Sequence, residues 1–472
     1  MSLPHTFPVT CHTDFVGPKS TFVVIKGATM DGMNFIDKAL QRGATTIVIE
    51  QERTIPSQIQ EQIDQKNATL IRVPHARRTL AQLSAHALDY PAKKLKIIGT
   101  TGTKGKTTTS FLIEHILASA GYKTALLSTV YNKINQEILS TQLTTQQPDY
   151  LHVFFNECIR QGVEYVIMEV AAQAYTLERV YGIEFDAFLF TNFDQEHAEF
   201  YPSLADYFHA KYQLLTQTKK NGFIIINQDN EWTKKCSFTN TSIVSVSKIN
   251  EATFSFSIEK NTPGGLQIKI LYNTVLYPIF SPLIGDFNAY NIVFATSLAL
   301  LLGIDGKEIA TALQNFDHVP GRLQKYTLPN NATCFIDYAH NPSSYESVLS
   351  TLRSLTPHLI VVCGAGGDRD KQKRPLMGLL AATYADIVIF TSDNPRSEDP
   401  RFIVQEMIAG LTKEVNAHII VELDREKAIQ KAYACSNASS LIALLGKGTD
   451  HYQIVGNKKF YFNEQEIIKQ LI

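Results

Sequence analysis

Apolar and polar segments alternate along most of this chain. The apolar segments are short before residue 95 and form unbroken runs after it. Before that point, short strand-like runs at residues 21–25 and 45–49 flank a helix-like segment at residues 34–43, which predicts a small α/β domain. After it, unbroken apolar runs predict strands buried on both faces of a parallel sheet. The clearest of these runs are residues 165–170, 185–191 and 223–226.

A second series of strands and helices begins after Val319-Pro320-Gly321, which we interpret as a linker. Apolar strands and amphipathic helices alternate again from residue 334 to residue 421, which predicts a doubly wound sheet with functional loops at the strand carboxyl ends. We therefore predict an α/β protein of three domains. They are a small N-terminal α/β domain (1–91), a central parallel-sheet domain (92–319) and a C-terminal Rossmann-like doubly wound domain (320–472).

Composition excludes several classes of partner. The chain has 472 residues, 44% of them hydrophobic and 19% charged, with a net charge of -1, so nothing in bulk favours nucleic acid or an anionic membrane. The longest apolar stretch, residues 292–304, is too short to cross a bilayer, so we expect no membrane insertion. No export signal is readable at the N-terminus, and the six cysteines lack Cys-x-x-Cys spacing, which favours a cytoplasmic location.

The strongest chemical signal is the sequence GTTGTKGKTTT at residues 99–109, between an apolar strand and an apolar helix. A glycine loop at a helix N-terminus wraps phosphate groups with its backbone amides, while a lysine neutralises them and a hydroxyl holds magnesium. Thr100 stands where the usual motif has its first glycine. We predict an ATP-binding P-loop made by Gly102, Thr103, Lys104, Gly105, Lys106, Thr107 and Thr108.

Two further candidates follow neighbouring predicted strands. Glu169 ends one strand and His197 lies in the loop after the next, so both are expected beside the P-loop, where a carboxylate and an imidazole suit an ATP-bound Mg²⁺. Lys211 lies on the helix after that loop, and its own pattern is typical of an exposed helix lysine. Four polar, glycine-bearing loops also end strands of the last domain and predict a site facing the nucleotide domain. They are residues 337–342, 364–370, 393–396 and 446–450.

Taken in order, these segments resemble the Mur ligase family, and most closely its branch that adds a diamino acid to a nucleotide-sugar peptide in peptidoglycan synthesis. The resemblance covers nearly the whole chain and is weakest before Phe22. Its motifs are GTKGKT (102–107), MEV (168–170), NAYN (288–291), PGR (320–322), DYAH (337–340), GGDRDK (366–371), KRPLMG (373–378) and DNPR (393–396).

The resemblance implies a reaction and roles for these residues. ATP phosphorylates the terminal D-Glu carboxylate of UDP-MurNAc-L-Ala-D-Glu, and an amine then displaces phosphate to form an amide. Lys106 would neutralise the β- and γ-phosphates, Thr107 and Glu169 would hold one Mg²⁺, and His197 with a carbamylated Lys211 would hold a second. The resemblance also implies a monomer. Further positions that match nucleotide contacts are Asn288, Asn291, Arg322, Asp337 and His340.

The amino-acid substrate is implied by the last domain, and the UDP-sugar is expected on the first. In the family, Asp-Asn-Pro-Arg marks enzymes that take meso-diaminopimelate, because the arginine can grip its distal carboxylate with two hydrogen bonds. Where these relatives commonly read Gly-Lys-Gly-His-Glu, this chain has Gly-Lys-Gly-Thr-Asp, with a carboxylate one methylene shorter. The implied amino-acid-binding residues are Arg369, Asp393, Asn394, Arg396, Gly446 and Asp450.

Departures from the family concern the nucleotide-sugar peptide. Thr144, Thr145 and Arg179 match its substrate-binding positions. However, the family's Ser-Ser-His is replaced by residues 171–173, a glutamine is replaced by Leu177, and the uridine-binding Asp-Ser-Arg is absent. Three interpretations stay open: a diaminopimelate-adding ligase, the same chemistry with L-lysine or another acceptor such as a folylpolyglutamate-like substrate, and a non-catalytic protein of the same fold. The differing residues are Ala171, Ala172, Gln173 and Leu177.

Overall fold

The computed structural model describes residues 3–27, 30–194, 200–238 and 241–472. The chain divides into two compact units, one built mainly from residues 1–256 and the other mainly from residues 313–472, with the segments between them shared. Within the described ranges, no helix combines the length and the apolar character that crossing a bilayer requires.

The N-terminal part of the first unit is a four-stranded parallel sheet in the order β1-β2-β3-β4. Its strands are β1 (Val9–Thr10), β2 (Thr21–Val23), β3 (Thr46–Glu50) and β4 (Thr69–Val73). Its helices are α1 (Ile36–Gln41), α2 (Ser57–Gln65) and α3 (Ala76–Ala87). The small α/β domain expected from the sequence is thus formed, around a core that includes Phe22, Ile36 and Ile47.

A larger sheet follows, in the order β15-β14-β13-β12-β11-β10-β5-β9-β6-β7-β8. Its strands are β5 (Lys96–Thr101), β6 (Thr124–Leu127), β7 (Asn132–Ile134), β8 (Glu137–Leu139), β9 (Tyr165–Glu169), β10 (Phe185–Phe190), β11 (Thr218–Asn227), β12 (Ser242–Ser247), β13 (Phe254–Thr262), β14 (Gly265–Tyr272) and β15 (Val275–Ser281). The accompanying helices are α4 (Lys106–Ser119), α5 (Pro148–Arg160), α6 (Ala172–Thr176), α7 (Leu204–Leu215), α8 (Asp286–Leu301) and α9 (Gly306–Gln314). Strands β11, β10, β5, β9 and β6 pair in parallel, so their carboxyl ends lie at one edge.

The last sheet has six strands in the order β16-β17-β21-β18-β19-β20, with only the β16 pairing antiparallel. Its strands are β16 (Gln324–Thr327), β17 (Thr333–Asp337), β18 (His358–Cys363), β19 (Ile387–Phe390), β20 (His418–Val421) and β21 (Ser440–Leu445), and a separate hairpin comprises β22 (Tyr452–Val455) and β23 (Lys458–Tyr461). The helices are α10 (Pro342–Leu355), α11 (Lys373–Tyr384), α12 (Pro400–Ile408), α13 (Arg425–Ala434) and α14 (Glu464–Leu471). The predicted α/β class with two parallel-sheet regions is confirmed.

Candidate active site

The glycine loop between β5 and α4 has the geometry that its sequence predicts. Gly102 and Gly105 have positive φ angles of 146° and 82°, which L side chains rarely adopt. A Cβ atom at Gly102 would lie 2.0 Å from Thr191 Oγ1, and one at Gly105 would lie 2.4 Å from Asn291 Oδ1. Helix α4 begins at Lys106, so its N-terminal amides follow the loop directly. The backbone therefore supplies a cradle for an anion.

The side chains and backbone of the glycine loop make contacts within the loop and with the segment that follows β10. Lys106 Nζ donates to the carbonyl oxygens of Gly102 at 2.8 Å and Thr103 at 3.0 Å. Lys104 N donates to Asn192 Oδ1 at 2.9 Å, while Lys104 Nζ lies 4.0 Å from Asp194 Oδ2. Thr103 Oγ1 donates to the Asp194 carbonyl at 3.2 Å, and the buried Thr108 lies in the first turn of α4. The loop is thus tied to the segment after β10.

Glu169 is buried at the carboxyl end of β9, next to the start of α4. Thr107 Oγ1 donates to Glu169 Oε2 at 3.0 Å, and the Thr129 backbone amide donates to Oε1 at 2.8 Å. Thr129 Oγ1 donates to Glu169 Oε2 at 3.2 Å and lies 3.1 Å from Thr144 Oγ1. These hydroxyl and carboxylate oxygens are the donor type that Mg²⁺ prefers, so the residues fit that ion.

Thr129 is a member of this group that the sequence analysis missed. It follows β6, and β6 pairs in parallel with β9, so its position follows from the same strand-end rule that found Glu169. The hydrophobic pattern does not predict strand β6, so the sequence alone places no strand end beside Thr129.

The residues predicted to bind the nucleotide-sugar peptide are linked to one another by hydrogen bonds. Thr145 Oγ1 donates to the Glu169 carbonyl at 3.0 Å and accepts from Ala171 N at 3.0 Å. Arg179 Nη1 donates to the Thr145 carbonyl at 2.8 Å. Burial, together with the charge of Arg77, lowers the pKa of Arg179 from its usual value. Thr145 therefore links the Arg179 guanidinium to the backbone at the carboxyl end of β9.

Lys211 is buried, with 1% of its surface exposed, which corrects its interpretation as an exposed helix lysine. Its Nζ donates to the Gly102 carbonyl at 2.7 Å and lies 4.8 Å from the centre of the Tyr207 ring. Helix α7 thus brings this amine to the P-loop. His197, the other predicted metal ligand, lies outside the described residues. The described residues contain no group of three or more His, Cys, Asp or Glu side chains arranged to hold a metal.

Helix α8 carries the two asparagines predicted to meet the nucleotide. Thr109 Oγ1 donates to Asn291 Oδ1 at 3.2 Å, which links that asparagine to α4. Asn288 Nδ2 donates to the Ile284 carbonyl at 2.8 Å, which links that asparagine to the residues just before α8. The two asparagines therefore have different local partners.

The Pro-Gly-Arg and Asp-Tyr-Ala-His segments are joined through the buried Asp337. Its carboxylate accepts from the backbone amides of Leu323 and Ala339, both at 2.8 Å. Burial raises the pKa of Asp337, and Arg322 opposes that rise. Arg322 also lies 4.9 Å from the centre of the Tyr338 ring, and the exposed His340 contacts the Tyr338 carbonyl through Nδ1 at 2.9 Å.

The loops predicted to bind the amino acid converge around Tyr338. Burial raises the pKa of Tyr338. The negative charges of Asp450 and Asp393 raise it further, and the positive charges of Arg322 and Arg369 lower it. These four charged side chains therefore lie close enough to act on one hydroxyl group. Burial likewise raises the pKa of the Asp450 carboxyl group.

The Asp-Asn-Pro-Arg segment is fixed by its own backbone and by a lysine. Arg396 has a φ of 51°, and its Nη1 donates to the Gly367 carbonyl at 2.7 Å. A Cβ atom at Gly446 would lie 2.4 Å from Asp393 Oδ2, so that glycine lets two loops approach. Lys447, which the sequence analysis did not single out, donates to Asn394 Oδ1 at 2.8 Å.

The chain is similar to a known protein family along most of its length. Residues 8–87 match the family model described as "Mur ligase family, catalytic domain", residues 100–299 match the "Mur ligase middle domain" and residues 321–448 match the "Mur ligase, glutamate ligase domain". Together these matches cover most of the chain. The chain belongs to the Mur ligase family. The resemblance noted from its motifs is confirmed.

Curated relatives within the Mur ligase family match almost end to end. An Aquifex aeolicus protein named UDP-N-acetylmuramoyl-L-alanyl-D-glutamate--2,6-diaminopimelate ligase is 36% identical over 467 residues, covering 98% of this chain and 93% of its own. A Clostridium acetobutylicum protein with the same name, numbered 1, is 34% identical over 461 residues, covering 97% and 92%.

Solved structures show the same fold at lower identity. A structure described as a UDP-N-acetylmuramoyl-L-alanyl-D-glutamate--2,6-diaminopimelate ligase has a TM-score of 0.69 and 24% identity, covering 99% of this chain and 94% of its own. A MurF ligase from Thermotoga maritima in complex with ADP has a TM-score of 0.64 and 18% identity, covering 94% and 95%.

Proposed function

We propose that this chain is an ATP-dependent ligase that joins meso-diaminopimelate to the terminal D-Glu carboxylate of UDP-MurNAc-L-Ala-D-Glu. The observation that carries the proposal is the similarity over nearly the full chain to relatives named for that activity, at 34–36% identity. A second support is that the P-loop, Glu169 and the Asp-Asn-Pro-Arg segment all lie at strand carboxyl ends, where such sheets carry their functional loops. As parts of the same proposal, the protein acts as a monomer, and in the cytoplasm, in keeping with its unpaired cysteines.

The reaction consists of two displacements. A carboxylate oxygen attacks the γ-phosphorus of ATP, the bond to the β–γ bridging oxygen breaks, and ADP leaves. The amine then attacks the acyl carbon, loses a proton and expels phosphate, which leaves an amide. Lys106 and the amides at the start of α4 would bind the phosphate oxygens and stabilise the charge on the transferring group.

The oxygen donors of Thr107 and Glu169 would hold Mg²⁺, with Thr129 as a neighbouring donor. When bound, the ion neutralises phosphate charge. Carbamylation of Lys211, in which its amine adds CO₂ and loses a proton, would turn a buried cation beside the P-loop into an anionic ligand for a second ion, together with His197. The burial of Lys211 and its contact with Gly102 support this assignment.

The acceptor peptide would be bound by Thr144, Thr145 and Arg179. The guanidinium of Arg179 suits a carboxylate, and it is oriented by its hydrogen bond to the Thr145 carbonyl. The diamino acid would be bound in the C-terminal unit, where Arg396 recognises the distal carboxylate and Asp450 the distal ammonium.

A second candidate has the same chemistry with a different acceptor or amine. It is favoured by Ala171 and Gln173, which lack the hydroxyl and the imidazole that the family has at these positions, and by Leu177, which replaces a glutamine. Each lost hydrogen bond costs about 0.5–1.5 kcal/mol of binding free energy, an amount that one retained arginine can offset. L-Lysine is disfavoured as the amine because it has no distal carboxylate for Arg396.

The test is phosphate release together with product mass, using ATP, Mg²⁺, UDP-MurNAc-L-Ala-D-Glu and either meso-diaminopimelate or L-lysine. We expect the tripeptide product with diaminopimelate alone. Equal turnover with L-lysine would contradict the role of Arg396. Absence of product with either amine would contradict the proposed acceptor.

A further inference from the structure

Lys447 is a fully buried lysine in the loop after β21, with an exposed fraction of 0%. Its Nζ donates to Asn394 Oδ1 and to the Tyr452 carbonyl, both at 2.8 Å, and lies 3.5 Å from Asp393 Oδ1. Burial lowers the pKa of Lys447, and Asp393 opposes that change. A buried ammonium is costly to desolvate unless it is paired, and here all three partners belong to segments beside the proposed amino-acid site.

The segments that Lys447 joins are also bound to each other. Asn394 Oδ1 accepts a second hydrogen bond from Ile454 N at 2.9 Å, and the Asn394 carbonyl accepts from Gly367 N at 2.9 Å. Arg396 N donates to the Ile454 carbonyl at 3.0 Å, and the Arg396 carbonyl accepts from Gly456 N at 2.7 Å. The Asp-Asn-Pro-Arg segment therefore runs along the β22–β23 hairpin, and the lysine bridges both.

The glycines on either side of Lys447 make its burial possible. A Cβ atom at Gly446 would lie 2.4 Å from Asp393 Oδ2, and one at Gly448 would lie 2.7 Å from Tyr338 Cβ. Both glycines have positive φ angles, of 111° and 55°. Because these two glycines carry no side chains, the loop passes close to Asp393 on one side of Lys447 and to Tyr338 on the other, and the Lys447 ammonium reaches Asn394 and the Tyr452 carbonyl.

We propose that Lys447 is a positioning residue for the amino-acid substrate: it fixes Asp393 and Asn394 against the β22–β23 hairpin and thereby sets the placement of Arg396 relative to Asp450. This inference rests on the proposed function, because it assigns Arg396 and Asp450 to the two distal groups of a diamino acid. Lys447 itself touches no substrate. Its loss acts through the side chains that it holds.

The first experiment measures KM separately for the three substrates in the full-length Lys447→Met variant. Methionine keeps the length and apolar stem but removes the ammonium, so Asp393 and Asn394 lose their shared partner. We expect the KM for meso-diaminopimelate to rise about 30-fold or more, while the KM values for ATP and for the nucleotide-sugar peptide stay within about threefold. Lys458→Met, at an exposed lysine of the same hairpin, is the matched control and should change none of them.

The second experiment does not depend on turnover. Hydrogen exchange should be faster in Lys447→Met at the backbone amides of Arg396, Ile454 and Gly456, and unchanged in helix α4. If the methionine variant does not fold, Lys447→Gln, which keeps a donor of shorter reach, should show the same pattern to a smaller degree.

Four outcomes are decisive. Equal rises in all three KM values, or no rise, would overturn the inference, as would unchanged exchange at the three amides. Absence of turnover in the unmodified protein would overturn the proposed function instead. In that case the exchange data alone decide whether Lys447 fixes these loops.

Discussion

The two candidate binding regions both lie at the carboxyl ends of parallel strands, but they are built differently. The P-loop region is shaped by backbone: positive-φ glycines, helix α4 and carbonyl groups that receive Lys106 and Lys211. The C-terminal region is shaped by buried cations that join loops, namely Lys447 and Arg425. The difference teaches that the groups proposed to bind phosphate come mainly from one contiguous segment, whereas the residues proposed to bind the amino acid come from loops that lie far apart in the sequence.

The largest expected effect is the loss of activity when a lysine of the P-loop region is replaced. Lys106→Met removes the charge that we propose binds the phosphates and should lower kcat/KM by about 10⁴-fold, or roughly 5 kcal/mol of transition-state stabilisation. Phosphate release measures the loss. Lys96→Met, an exposed lysine at the other end of β5, is the control and should retain activity. Substantial activity in Lys106→Met would exclude the P-loop role.

The next largest effect is the loss of stability when a buried arginine of the C-terminal region is replaced. Arg425 donates to Glu464 Oε1 and to the Leu445 carbonyl, both at 2.8 Å, and the ion pair is fully buried. Arg425→Met leaves the Glu464 carboxylate without its cation and should cost about 4 kcal/mol of unfolding free energy in chemical denaturation. The double variant Arg425→Met/Glu464→Leu should recover most of the loss. A loss in the double variant as large as in the single one would contradict the ion-pair explanation.

A pH effect is expected from a histidine that belongs to neither region. His152 on α5 is buried, with neither ring nitrogen hydrogen-bonded, and burial lowers its pKa to about 4. Its ordinary value is 6.5, so between these values the unfolded chain binds more protons than the folded one. Stability from this group is therefore complete above pH 6.5 and is lost as pH falls to about 4, by about 3 kcal/mol.

Unfolding measured from pH 7 to pH 4 should accordingly show a smaller decline in His152→Leu than in the unmodified protein. His86→Leu, at an exposed histidine on α3, is the matched control. Identical pH profiles for His152→Leu and the unmodified chain would show that His152 is not the source of the acid sensitivity.

The smallest effect concerns an ion pair that shapes neither region. Arg78 Nε lies 2.9 Å from Glu178 Oε1, and the arginine side chain is 49% exposed. Arg78→Ala should change the free energy of unfolding only slightly, because exposed pairs are screened by solvent. A larger loss in chemical denaturation would mean that the cation–π contact with Tyr181 matters more than the ion pair.

The sequence predicted much of the fold because buried parallel strands appear as unbroken apolar runs, and strand ends then locate Glu169, Asp337 and Asp393. It also identified the P-loop, whose parts are adjacent in the chain. It did not single out Thr129 or Lys447, since the partners of both are remote in sequence. The burial of Lys211 was equally unreadable from its helix, because a single lysine in a helical pattern is usually exposed.

The most direct test of the comparison is positional isotope exchange in ATP labelled with oxygen-18 at the β–γ bridge, with the nucleotide-sugar peptide present and the amine absent. Reversible formation of the acyl phosphate scrambles the label and requires only the nucleotide and acceptor groups. We predict that Arg396→Met scrambles at nearly the rate of the unmodified enzyme yet forms little tripeptide when diaminopimelate is added, whereas Glu169→Gln does neither. Loss of scrambling in Arg396→Met to the same degree as in Glu169→Gln would contradict the division of roles between the two regions.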